Sequence, residues 1–124
     1  MSKSASSVLI FGLYLVVLGF TLLVVPNFLL GIFFLPSTTE VWIRVVGMLI
    51  LILGFYYTHA ARKELTDFFQ WTVTVRVSTI LFFTAFVLLG LAGSALILFG
   101  VVDLLGALWT GLALRSSKIA GAKS

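Results

Sequence analysis

Asp103 lies within a long apolar run, residues 95–114, and is the only carboxylate in any such run; Glu40, Glu64 and Asp67 fall in short polar breaks. An acid at the centre of a bilayer costs about 2.5–3.5 kcal/mol on insertion scales, so it needs a partner or a purpose. Two uses follow. Intramembrane acids hold an ion, a proton or a polar ligand. They also join helices, where polar contacts contribute about 0.6 kcal/mol on average and specify register more than they stabilise.

The residue types around Asp103 supply a candidate set. Thr72, Arg76 and Thr79 recur at spacings of four and three and share one helix face with Phe83 and Gly90. Gly100, Asp103, Ala107 and Thr110 do the same one helix later. Counted from the span centres, Asp103 sits within about 3 Å of the midplane, with Arg76 about 7 Å to one side and Arg44 about 10 Å to the other. Arg76 is the expected partner of Asp103, because their helices form a tight hairpin. Tyr57 shares the face of Gly54 and is expected to offer its hydroxyl to Arg76. The set Asp103, Arg76, Tyr57, Thr79 and Thr110 is thus either a ligand-binding site or a structural ion pair with its supports. Glu40 and Arg44, four apart, form a second expected ion pair.

Other chemistry finds no residues. His59 is the only histidine and no cysteine is present, so bis-histidine haem, thiolate metal sites and iron–sulfur clusters have no ligands. There is no serine–histidine–aspartate set, no glycine-rich phosphate loop and no paired carboxylate. No catalytic residue, metal or cofactor is assigned.

These residues must be positioned by membrane helices. The chain is 61% hydrophobic and 10% charged, with a mean hydropathy of +1.25. Soluble domains carry about 25% charged residues. A soluble fold this small buries only about two-thirds of its surface and could not hide so much apolar area. The expected fold is all-α: four antiparallel transmembrane helices in one domain, with spans at about 8–25, 38–62, 68–91 and 95–115. Lys3 precedes the first run, but no Ala-x-Ala-like cleavage site follows it, so it reads as a retained helix. Ser37 and Glu40 fit a capping box that would start the second helix near Thr38. Asp67 and Ser94 are expected to cap the third and fourth. Residues 27–35, apolar and bracketed by Pro26 and Pro36, are too short to span. They read as a short outer interfacial segment, with a re-entrant plug as the alternative.

Glycines seven apart, Gly12 with Gly19 and Gly47 with Gly54, predict close helix packing, and Gly93, Gly100 and Ala107 keep that interval. The net charge of +4 flanks apolar runs and does not suggest nucleic acid. Lys3, Arg62, Lys63, Arg115, Lys118 and Lys123 share one side, which the positive-inside rule makes cytoplasmic, with both termini. Trp42 and Trp71 fit opposite interfacial belts. The serines before Val8 read as a polar tail. The segment Lys118–Lys123 reads as disordered or bound to lipid head groups.

Two stretches carry a resemblance. Trp42-Ile43-Arg44-Val45-Val46-Gly47, through Gly54-Phe55-Tyr56-Tyr57, to Ala60-Ala61-Arg62 is one; Val102 to Thr110 is the other. Together they resemble the small four-helix bacterial membrane proteins called BphX-like hydrophobic proteins, over about residues 26–115. The resemblance implies a bacterial inner-membrane location and no activity. Small multidrug exporters share the size and helix number, but their essential glutamate lies in the first helix, which here has no acid. The leading expectation is therefore a non-enzymatic accessory or assembly subunit, surrounded by membrane lipid and packed against other membrane subunits or itself as a homo-oligomer. The alternative is a small transporter or polar-ligand-binding bundle built on Asp103 and Arg76.

Overall fold

The computed structural model describes residues 1–123, with side chains through residue 116. The described chain is all helical: α1 (Lys3–Val24), α2 (Pro26–Ile32), α3 (Trp42–Arg62), α4 (Thr66–Leu88) and α5 (Leu96–Lys123). Four of these contain apolar stretches of 21–23 residues, long enough to cross a membrane. They alternate in direction. One end of the bundle carries α2, and the other carries the α3–α4 loop and the start of α1.

Small residues decide which helices meet. α1 packs chiefly on α3, α4 on α5, and α1 also on α5, so α1 lies at the centre, while α3 and α4 barely touch. Along the α1–α3 seam the backbones come close at Gly19 and Gly47. A Cβ added to Gly19 would lie 2.5 Å from Leu51 N, and one on Gly47 2.7 Å from Leu23 N. Gly12 and Gly54 take part in the same seam. On α5, Gly100 sits against Ile80 and Phe83, whereas a Cβ added to Gly93 would meet nothing within 4 Å, so Gly93 does not extend that seam.

The helix ends depart from expectation. α3 begins at Trp42, after a Val41 cap with no side-chain bond, so no Ser37–Glu40 capping box forms. Asn27 competes for this segment: its amide accepts from Thr38 N (2.8 Å) and donates to Thr38 O (3.0 Å). Thr38 Oγ1 in turn accepts from Glu40 N at 3.0 Å. Because Glu40 is not helical, its spacing to Arg44 has no helical meaning, and among the described residues no ion pair joins them. Arg44 Nη1 instead donates to the carbonyls of Leu23 and Val24. Those are orphan acceptors at the end of α1, whose last turn has no basic residue of its own. α4 starts at Thr66, with Asp67 in its first turn and no side-chain cap. It ends at Leu88, because Gly90 adopts φ 75°. Lys118–Lys123 continues α5 as helix, where a tail either disordered or bound to lipid head groups was expected. The early serines also belong to a helix: Ser2 caps α1 by accepting from Ala5 N at 3.1 Å, and Ser4 and Ser7 are buried.

Candidate ligand site in the bundle

The candidate site has two parts on either side of one layer of side chains. That layer is built around Arg76, which is only 2% exposed. Its Nη2 donates to Thr110 Oγ1 (2.9 Å) and Thr72 Oγ1 (3.0 Å), and its Nε donates to Thr72 O (3.3 Å). The guanidinium carbon lies 4.7 Å from the Phe11 ring centre and 5.8 Å from that of Tyr57. Tyr57 therefore meets Arg76 with its ring, not its hydroxyl as expected. Cation–π contacts of this kind strengthen when desolvated.

Behind Arg76 the hydroxyls form a directed chain towards the α3–α4 loop end. Ser7 Oγ donates to Ser4 O at 2.7 Å, so in its 2.8 Å contact with Thr110 it accepts. Thr110 thus accepts a hydrogen bond from the guanidinium on one side and donates one to Ser7 on the other. Thr72 likewise donates to Phe69 O at 2.8 Å. Hydroxyls and backbone carbonyls, with two aromatic faces, satisfy this side of the cation. Among the described residues Nη1 has no hydrogen-bond partner, and it packs at Gly106, where an added Cβ would stand 3.1 Å from it.

Asp103 lies on the other side of the layer. It is half-buried on α5, one turn from Gly106 and two turns from Thr110. The expected Arg76–Asp103 ion pair is not formed directly: among the described residues no cationic nitrogen lies within 4.0 Å of the carboxylate. The two remain electrostatic neighbours, and the Thr79 hydroxyl also faces Asp103 while bonded to Val75 O at 3.2 Å. The reason is geometric. Thr72 and Thr110 engage the guanidinium one turn short of Asp103, and Gly106 lets it rest on the α5 backbone.

Asp103 instead borders a cavity of about 300 Å³, bounded by α1, α3 and α5, with Phe83 of α4. Leu29 and Leu30 of α2, and Leu35 just beyond it, form its far end. The segment expected to be interfacial thus also closes a cavity, and a Phe33–Phe99 ring contact of 4.4 Å ties it to α5. Among the described residues Asp103 is the only charged group in the lining, and Tyr14 the only other residue there with a polar side chain. The walls are otherwise leucine, isoleucine, valine and phenylalanine.

No known protein family, curated protein or solved structure matches the chain. The site must therefore be read from its own chemistry. Among the described residues no group of three metal-ligating side chains occurs. His59 is exposed and meets the Phe55 ring in a tilted contact, with ring centres 4.2 Å apart. An apolar chamber with one carboxylate and one phenol can bind a lipophilic molecule by a polar group.

Sequence reasoning missed Ser7, Phe11 and Tyr14. A signal was present: Ser4, Ser7, Phe11 and Tyr14 follow one another at three, four and three, the spacing of a single helix face.

Proposed function

We propose that the protein is a small membrane bundle that binds, and in a transport cycle would carry, a lipophilic molecule anchored by its polar group at Asp103. One observation carries this reading: the carboxylate borders an apolar cavity of about 300 Å³ and is not engaged by Arg76. Pockets of this size and lining bury most of a small ligand, and a few polar groups fix its orientation. The proposed setting is a bacterial inner membrane with both termini cytoplasmic, in keeping with the lysine and arginine distribution.

The test uses the neutral apolar fluorophore 1-aminoanthracene with protein in lipid nanodiscs. Saturable binding is expected, lost in Leu18→Trp, which fills the cavity, and retained in Leu13→Trp, which places the same ring on the exposed face of α1. Equal binding by wild type and Leu18→Trp would refute the reading.

A second reading, an accessory or assembly subunit, is favoured by the open seam between α3 and α4. Another membrane subunit or a second copy of the chain would fill that seam. Native mass measurement from nanodiscs decides this: a stable complex supports it, and a lone 13.5 kDa chain opposes it.

A further inference from the structure

We infer that the molecule bound at Asp103 is a lipophilic ammonium, its cationic head held by the carboxylate among the rings of Tyr14, Phe83 and Phe99, with its alkyl part directed at the leucines of α2. This inference rests on the ligand-binding reading above and adds the charge and class of the ligand.

Charge is the first argument. The cavity lining contains one acid and no base. An anionic ligand would meet Asp103 with no compensating cation. Arg76 does not line the cavity, and its Nη2 and Nε are held by Thr72 and Thr110 on the other side of the layer. A neutral ligand could donate one hydrogen bond, but it would leave the half-buried carboxylate with no counter-charge in contact, since Arg76 stays beyond 4.0 Å on the other side of the layer. A cation supplies that counter-charge.

The aromatic residues are the second argument. Phe99 precedes Asp103 by one helical turn and lines the same cavity. Phe83 also lines it and stands against Gly100, where an added Cβ would be 3.2 Å from Phe83 Cδ2. Tyr14 lines the same cavity from α1. Rings beside a carboxylate favour a soft, methylated cation, because the π faces attract it without demanding hydrogen bonds. The remaining wall is aliphatic and bounded by Leu29, Leu30 and Leu35, which suits an alkyl chain.

The test is a pair of isosteres. Octyltrimethylammonium and 2,2-dimethyldecane have nearly the same shape and differ in one charge. Each is used to displace 1-aminoanthracene from the protein in nanodiscs of zwitterionic lipid. The cation is expected to displace it at lower concentration than the alkane. Asp103→Asn should weaken the cation by about tenfold or more, as loss of one partner of a buried charge pair does, and leave the alkane unchanged. Phe99→Leu, which keeps the carboxylate, should weaken the cation about threefold, through loss of one π face, and spare the alkane; it serves if the Asn variant does not fold. Equal displacement by both isosteres in the wild type would overturn the ammonium inference and leave lipophilic binding standing. No displacement by either, with no effect of Leu18→Trp on the fluorophore, would overturn both.

Discussion

Arg76 and Thr110 are joined across the α4–α5 interface by a 2.9 Å hydrogen bond, with both side chains at 2% exposure or less. This bond, not a carboxylate, is what Arg76 uses to cross between the helices. Thr110 also contacts Ser7 of α1 at 2.8 Å, so one hydroxyl links three helices.

Thr110→Val keeps the shape and removes both bonds. It leaves Arg76 Nη2 and Ser7 Oγ each short of a partner, and stranding buried polar groups costs about 1–3 kcal/mol, more beside a charge. Thr21→Val is the control, because the Thr21 hydroxyl bonds only to Val17 O of its own helix, at 2.8 Å. Reversible unfolding in mixed micelles should show a clear loss for Thr110→Val and little for Thr21→Val. Equal losses would mean that Thr110 is an ordinary helical threonine.

The α1–α3 seam predicts a second contrast. At Gly19 an added methyl would meet backbone, with Leu51 N at 2.5 Å and Gly47 O at 2.7 Å, and backbone cannot rotate away. Gly19→Ala should therefore cost about 1–3 kcal/mol, the range for overpacking. At Gly111 the nearest atom would be Val73 Cγ1 at 3.8 Å, an ordinary contact. Gly111→Ala should be neutral, or stabilise by up to about 1 kcal/mol through helix propensity. The same unfolding assay ranks the two variants, and a reversed order would show that the seam is not tightly packed.

The spans and this seam were legible because both depend on periodicity. Long apolar runs and glycines seven apart leave few alternatives for a membrane chain. The inward-facing placement of Asp103, on one face with Gly100, Ala107 and Thr110, was legible for the same reason. Its partner was not. Formal charge points from Asp103 to Arg76, but whether a guanidinium reaches a carboxylate depends on which acceptors meet it first, and Thr72 and Thr110 do. Ser4 and Ser7 looked like a tail because short polar residues near a chain end resemble one; a Ser2 cap makes them the first turns of α1. The Glu40–Arg44 pair failed because helix spacing was assumed for a residue outside the helix. The lining of the cavity was not legible, since it follows from where α2 comes to rest beside α1, α3 and α5.

Glu64, in the α3–α4 loop, should give a pH signature. Ser2 Oγ donates to its Oε2 and Ser2 N to its Oε1, both at 2.7 Å, and these bonds hold the exposed carboxyl below its ordinary pKa, the side-chain bond most strongly. A depressed carboxyl contributes stability above its unfolded pKa and loses it as pH falls through the lower folded value. The tie between α1 and the loop should therefore open only under acid conditions, below the usual carboxylate range. Carbon-detected NMR titration of Glu64 should find the depressed value in wild type and a return towards the ordinary one in Ser2→Ala. No difference between the two would refute the tie.

Three helix ends share one construction, and only one carries the residue that suits it. After α4, Gly90 N bonds Val87 O and Leu91 N bonds Phe86 O, with Gly90 at φ 75°. The same paired bonds follow α2, with Phe34 at φ 56°, and α3, with Glu64 at φ 53°. This is the Schellman arrangement, whose left-handed residue is usually glycine because a Cβ there costs about 1–2 kcal/mol. Gly90→Ala should thus destabilise by about 1 kcal/mol, although nothing lies within 4 Å of the added methyl, so the loss would be purely conformational. Phe34→Gly should move the other way by a similar amount. Its ring is 93% exposed, so little packing is lost within the chain. Unfolding measurements on the two variants should differ in sign, and a loss at Phe34 as large as at Gly90 would assign that ring to contacts outside the chain, with lipid or a partner.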